Sequence, residues 1–292
     1  YSFPTKVDGI LIDCGLNSDQ IDNPTRGFTF RKNGPLDMRF DHTTESIDHT
    51  TFQHETDSTP ARDILNLRPA SELADLFRKY SDEPHADEIA ANIIQWRESS
   101  PPLKRKHNKK KAYDDIIHGG IRTTLELRFV IEEAVEKVTN PLLHHVEGKN
   151  RYRWNRFRQL WRKPNNAKGK VKGKSIAKTL KKYSESKSRH PNNVTRIFQA
   201  LRIEVNRELE HIQSVFRNKI PSRCLEVGGR LVMIAFQPGE DEMVKSGMGD
   251  LVASGEFKLL TPDEEGLRPA VEEVEENEQS RTARLHAVER IK

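Results

Sequence analysis

The sequence predicts an α/β core interrupted by a helical insertion, and three observations carry that reading. Short apolar runs at Val7–Ile12 and Arg230–Phe236 have the length and content of buried strands. RLHAVERI at 284–291 reads as a terminal strand. Between the first two runs the apolar residues follow a helical period, and strongly basic stretches interleave with them. The insertion is placed between about residues 42 and 190. The expected division is therefore 1–41, 42–190 and 191–292, with core on either side of the insertion.

The first strand ends in Asp13-Cys14-Gly15, which exposes a carboxylate at the carboxyl end of a strand. In open α/β sheets that edge is where ligands bind. RGFTFRKNGPLDMRFD at 26–41 follows no period. It nevertheless holds two glycines, four basic side chains and three phenylalanines, the content of a loop that wraps a site. The stretch 41–59 repeats DHTT and reads as a loop insertion; His42, His49 and His54 lack defined ligand spacing, so no metal is expected.

Helical patterning starts at Ala61. Ser71-Glu72 marks a start before Leu73, Leu76, Phe77 and Tyr80, and a further helix spans about Ala86–Arg97 with Ile89, Ile93 and Ile94 on one face. KRKHNKKK at 104–111 is a charge run that reads as a solvated loop, a localisation signal or an RNA contact. Thr124–Val138 returns to helix with Leu125, Leu127, Val130, Ile131, Ala134 and Val135 as its stripe. Residues 147–190 hold sixteen Lys and Arg against two acids, interleaved with Tyr152, Trp154, Phe157, Trp161 and Tyr183. Aromatics among cations suit single-stranded RNA, where bases stack and cations meet phosphate. Residues 194–217 form the clearest helix of the chain. Ile197, Leu201, Val205, Leu209, Ile212 and Phe216 make its core stripe, with Gln199, Arg202 and Asn206 on another face. Val227-Gly228-Gly229 is read as a turn into the second strand, and the tail around 261–280 is acidic.

Composition narrows the function. An apolar fraction of 34% beside a charged fraction of 32% fits a globular body with polar insertions. The net charge of +5, concentrated in a few segments, favours nucleic acid over membrane as partner. No apolar run approaches the roughly 18–20 residues of a membrane span. Two cysteines without metal-type spacing point to a reducing compartment and no disulfide scaffold.

Four separated stretches, DGILIDCGLNSDQID at 8–22, RGFTFRKNGPLDMRFD at 26–41, TRIFQALRIEVNREL at 195–209 and GGRLVMIAF at 228–236, resemble the 16S-type ribosomal RNA cytosine-N4 methyltransferases, the RsmH/MraW family. GIRTTLELRFVIEEAV at 120–135 and EEVEENEQSRTARLHAVER near the end support the likeness. The resemblance covers nearly the whole chain except 41–59, 104–118 and 144–189. It implies a Rossmann-like, S-adenosylmethionine-dependent methyltransferase core with an inserted helical domain, acting on a cytidine N4 of small-subunit rRNA. It also implies that Asp13 and Gln20 contact the cofactor and that the 26–41 loop closes over the site.

The chemistry adds roles. A cytosine exocyclic amine is a weak nucleophile because its lone pair is delocalised into the ring, so oxygens must orient it and absorb developing charge. Asp13 and the Asn17-Ser18 turn supply such oxygens. Asp37 and Arg39 pair to order the loop, and Met38 packs it. Arg196, Gln199, Arg202 and Asn206 hold a flipped base or its phosphates. Cys14 lacks the setting of a nucleophilic thiolate and reads as a buried strand-end residue.

The resemblance further implies a glycine-rich cofactor loop after the family's first strand and an acidic residue after its second. Neither occurs in this sequence, whose first strand corresponds to the family's fourth. The expectation is a core with its first strands missing and an exposed sheet edge. FQPGED at 236–241 also departs from the family's Phe-His-Ser-Leu-Glu-Asp. The basic segments lie beyond the family pattern and favour a mitochondrion or plastid, with cytoplasm expected for a bacterial protein. The competing reading is a non-catalytic RNA-binding or ribosome-assembly factor that keeps the fold.

Overall fold

The computed structural model describes residues 6–40, 59–99, 120–140, 190–262 and 265–292. The DHTT repeat, the 104–111 charge run and most of the 147–190 basic stretch lie outside the described residues. These residues form two compact units. One holds the chain up to Asn17 and from Arg207 onward, and the other holds Ser18–Asn206. The expected boundaries at 41 and 190 differ from this division for a packing reason. Leu36 and Met38 of the loop, and Val194, Ile197, Leu201 and Val205 of the following helix, are buried in the same apolar core as the insertion's own helices.

The sheet unit contains β1 (Val7–Asp13), β2 (Leu225–Ala235), β3 (Phe257–Leu259) and β4 (Arg284–Arg290) in the order β1-β2-β4-β3. β1 runs parallel to β2, and β4 is antiparallel to both of its neighbours. The three strands other than β4 therefore share one direction, and their carboxyl ends share one edge of the sheet. Leu231, Met233 and Val288 of the sheet are buried with Ile212, Val244, Met248 and Phe257. β1 is less covered than a fully buried strand, with Leu11 69% exposed, because within the described residues it has a neighbour on one side only.

Two sequence expectations change here. Val227-Gly228-Gly229 is not a turn before β2 but an irregularity inside it. β2 begins at Leu225, pairs with Val7, then slips register before Arg230 meets Gly9. Gly228 sits at φ 87°, the left-handed backbone that lets the strand bulge and continue. The helix expected over 194–217 is broken in two. Among the described residues the helices, in chain order, are α1 (Ser18–Asp22), α2 (Ala61–Leu67), α3 (Ala70–Ser81), α4 (Ala86–Ser99), α5 (Thr124–Thr139), α6 (Pro191–Asn206), α7 (Glu208–Arg217), α8 (Ile220–Cys224), α9 (Pro238–Ala253) and α10 (Val271–Glu276). Arg207, at φ 50° and ψ 38°, separates α6 from α7. The stripe read as one core face is thus divided. Ile197, Leu201 and Val205 pack in the helical unit, and Leu209, Ile212 and Phe216 pack under the sheet.

In the helical unit α5 is the central element. Every residue from Thr124 to Glu136 is buried, well beyond the apolar stripe. Its start is fixed by a reciprocal cap. Thr123 Oγ1 accepts from the Glu126 amide, and Glu126 Oε2 accepts from the amides of Arg122 and Thr123. Burial raises the Glu126 carboxyl above its ordinary range, despite Arg122 beside it. Further along, Arg128 Nε donates to Glu132 Oε1 at 3.0 Å with both side chains buried. Removing one member of such a pair costs about 3–5 kcal/mol, because it leaves an uncompensated interior charge. Among the described residues no helix is long and apolar enough to cross a membrane, and no cluster of His, Cys, Asp and Glu is arranged to hold a metal ion.

Candidate active site

The carboxyl edge of the sheet carries the first group of predicted residues. Asp13 is the last residue of β1, opposite Ile234 of β2, and its side chain is exposed. The Cys14 amide continues the ladder with a 2.9 Å bond to the Ile234 carbonyl. At Gly15, φ 142°, the chain leaves the sheet, with Phe236 packed close by. Asn17 follows, exposed. Beyond the end of the neighbouring strand, Glu240 in the first turn of α9 is buried and its Oε2 accepts from the amides of Phe236 and Gln237 at 2.9 and 3.2 Å, fixing the turn from β2 into α9. FQPGED thus works as a helix start, with Pro238 in the first turn, where its missing N–H costs nothing. The Gln237 side chain faces the Glu240 amide in return, closing a reciprocal cap, although its buried Oε1 reaches no hydrogen bond of full geometry among the described residues. In the sequence this position is only a departure from the family pattern; its part in the cap becomes visible in three dimensions.

Cys14 is buried between these groups. Burial, reinforced by Glu240, Asp13 and Glu208, pushes its thiol from an ordinary 9.0 up to about 12. At neutral pH the thiolate population is on the order of 10⁻⁵, which removes Cys14 as a nucleophile. The sign of the linkage follows. Above about pH 9 the unfolded chain releases this proton and the folded chain keeps it, so rising pH disfavours folding until about pH 12 is passed. Iodoacetamide at pH 8 should therefore label the half-exposed Cys224 and leave Cys14 unmodified in the folded protein, as read by peptide mass spectrometry. Prompt labelling of Cys14 would contradict this account of its environment.

The second group belongs to the helical unit. Ser18 opens α1, and Gln20 lies half-buried on the same helix. After the 3₁₀ turn Pro24–Arg26, the irregular loop is tied down along its length. Leu36 N donates to Arg122 O at 3.0 Å, Arg62 N to Leu36 O at 2.9 Å, and Ala61 N to Asp37 O at 2.8 Å. Gly27 sits at φ 82°, and a methyl group at Gly34 would overlap the Pro24 carbonyl, so both glycines are demanded by backbone passing against backbone. Gly34→Ala should lower stability by about 3 kcal/mol or more, because a main-chain oxygen has to move. A thermal midpoint within about 2 °C of the parent would refute this reading of the loop.

Asp37 and Arg39 form the ion pair that orders the loop tip, with Nε to Oδ1 and Nη2 to Oδ2 both at 2.9 Å. Between them Met38 is fully buried at φ 67°, a left-handed backbone that is strained for methionine. Asn206 holds it there. Its Nδ2 donates to Met38 O at 2.8 Å and to Arg202 O at 2.9 Å, and its Oδ1 accepts from Phe40 N at 2.9 Å. Arg26 donates from Nη2 to the Phe40 carbonyl at 2.8 Å, and Phe28 and Phe40 pack with ring centroids 5.8 Å apart. The structure therefore brings Asp37, Met38, Arg39 and Asn206 together, with the Asn206 carboxamide spent on the loop itself. On α6, Arg196, Gln199 and Arg202 lie half-buried at successive turns. Gln199 Nε2 reaches the Tyr80 carbonyl at 3.5 Å. A cleft of about 350 Å³ elsewhere in the sheet unit, walled by Phe216, Arg217, Met243 and Leu251, contains none of the predicted site residues.

Comparison with known proteins places these features in context. The model of the MraW methylase family matches residues 3–118 and 162–291. A protein named Ribosomal RNA small subunit methyltransferase H from Thermomicrobium roseum is 33% identical, over 100% of this chain and 68% of its own length. Proteins of the same name from a Cyanothece species and from Legionella pneumophila strain Paris are each 30% identical over 98% of this chain, and 66% and 70% of their own lengths are covered. The chain thus spans about two thirds of the length of these relatives.

Proposed function

The chain belongs to the MraW methylase family, and from that premise we propose that it methylates N4 of a cytidine in small-subunit rRNA with S-adenosylmethionine as methyl donor. The observation that carries the proposal is the exposed Asp13 carboxylate at the carboxyl end of β1, beside a second strand end where Gln237 and Glu240 cap the following helix. Strand ends of this kind are the ligand edge of α/β sheets. An RNA-binding protein with no catalytic role would have no use for such an acceptor at that edge.

The residues present fit the cofactor. S-adenosylmethionine presents an ammonium group and ribose hydroxyls as hydrogen-bond donors, and the exposed Asp13 carboxylate at the strand end is an acceptor for them. Asp13 and Gln20 are the proposed cofactor contacts. When bound, the cofactor supplies a methyl group on a positively charged sulfur, open to attack by an amine in line with the leaving sulfur. The protein's task is to make the amine a competent nucleophile. Asp13, Asn17 and Ser18 are proposed to accept its N–H hydrogens, which orients the nitrogen lone pair and stabilises the positive charge that builds as the C–N bond forms. One N–H proton then leaves through the carboxylate to water, and the product is N4-methylcytidine.

On the substrate side, the ordered Asp37-Met38-Arg39 tip and the α6 face of Arg196, Gln199 and Arg202 are proposed to receive the displaced base and its phosphates. Asn206 contributes through the loop that it fastens. The basic segment 147–190 adds sequence-independent attraction to the RNA backbone and supports an organellar setting. The test is transfer of a labelled methyl group from S-adenosylmethionine to small-subunit rRNA by the protein purified from its source, followed by nucleoside digestion. Label in N4-methylcytidine supports the proposal. Label at another position, or none with RNA bound, overturns it.

A further inference from the structure

Glu83 lies in the turn between α3 and α4, just after Asp82, whose left-handed backbone at φ 47° ends α3. Its side chain is fully enclosed, at 0% exposure. One carboxylate oxygen, Oε1, accepts from Asn193 Nδ2 at 2.7 Å and from the His85 amide at 3.0 Å. The other, Oε2, has no hydrogen-bond partner among the described residues. Arg196 Nη1 stands 4.0 Å from it, one turn after Asn193 along α6, and the Arg196 side chain is 41% exposed.

Packing alone does not account for a charge here. A glutamine would accept the same two hydrogen bonds through one oxygen without placing an anion in the interior, where an incompletely compensated carboxylate is costly. What a carboxylate adds is a fixed negative charge behind Arg196. The guanidinium is planar and offers five donors, so one edge can face Glu83 while the opposite edge presents a fork to solvent. An arginine steadied from behind loses less conformational freedom when it meets an anion in front.

We infer that Glu83 is a positioning residue for RNA binding. It anchors the first turns of α6 through Asn193, and its second oxygen holds the Arg196 guanidinium with its outer edge aimed at a backbone phosphate. The inference rests on the rRNA reading above and extends it to a residue outside the loop and outside α6. The phosphate completes a sandwich in which one cation is shared between a protein carboxylate and the nucleic acid. On the RNA, Glu83 acts only through Arg196.

The experiment is a double-mutant cycle with a small-subunit rRNA transcript as the probe. Glu83→Gln keeps the acceptor for Asn193 and His85 and removes the charge. It should weaken RNA binding about tenfold with the thermal midpoint unchanged, and it should have no further effect in an Arg196→Ala background. Glu83→Asp, which keeps the charge on a shorter stem, should lose less. Without RNA, the Arg196 Nε–H signal in ¹⁵N-arginine spectra should lose order in Glu83→Gln. That readout separates this inference from the RNA reading. If the native protein binds no RNA while Arg196 still loosens, the functional reading fails and the positioning survives. Equal losses in both backgrounds, an Arg196 signal that does not change, or a midpoint lowered by more than about 5 °C would reduce Glu83 to a structural cap and overturn the inference.

Discussion

Asp13→Ala should abolish methyl transfer, lowering kcat by a factor on the order of 10²–10³, while the protein folds and binds rRNA as before. The expectation combines exposure with position. An exposed side chain at a strand terminus with no packing role is replaced at a cost within about 0.5 kcal/mol, so stability reports nothing of its loss. The reacting amine, however, needs an acceptor to orient its lone pair, and an alanine offers none. Asp13→Asn keeps an oxygen without the charge and should fall between the two. Circular dichroism and RNA affinity measured alongside the rate separate a catalytic loss from a general one. Unchanged turnover in Asp13→Ala would remove this residue from the site.

Asn206→Ala should act the other way, through structure first. The substitution strips the Met38 carbonyl, the Phe40 amide and the Arg202 carbonyl of a shared partner in one step. Unsatisfied buried groups cost about 1–3 kcal/mol each, and relaxation recovers part of that, so a net loss of about 2–4 kcal/mol is expected. Met38 is also held in a left-handed backbone worth roughly 1–2 kcal/mol of strain, which relaxes once the clip is gone. The loop tip then loses its single arrangement, and RNA methylation falls together with the thermal midpoint. Asn206→Asp retains the acceptor for Phe40 and loses both donations, so it should also be destabilised. A variant with the parent's midpoint would show that the loop is held by its other ties alone.

The elements with strong periodicity were legible in the sequence, and those set by contacts distant in the chain were not. Thr124–Val138 was readable from its apolar spacing, and the structure extends it by one residue to Thr139 and adds the Thr123–Glu126 cap. The break at Arg207 was not, because every residue around it is helix-compatible. What decides it is Asn206 turning to fasten a loop more than 160 residues earlier in the chain. Gly228-Gly229 resembled a turn because a bulge inside a strand uses the same left-handed glycine. β3, three residues long, has no period to detect, and α9 hides behind Pro238-Gly239 at its start.

The candidate site divides in the same manner. Asp13 was legible from its place after an apolar run, and the Asp37–Arg39 pair from two opposite charges two residues apart in a loop rich in punctuation. Asn206 was read as a substrate contact, whereas the structure shows its carboxamide bonded to the loop. Glu83 gave no signal at all, since a lone acid in a turn reads as a solvated residue until its burial and its distance from Arg196 are known. The two glycines of the loop were visible as punctuation, but the close approach to Pro24 and Pro35 that requires them was not.

The most direct test of the proposed N4-cytidine methylation is mass spectrometry of nucleosides from small-subunit rRNA of cells with and without the gene. The account predicts that N4-methylcytidine disappears with the gene, returns with the native protein and does not return with Asp13→Ala. Full N4-methylcytidine in cells without the gene would contradict it.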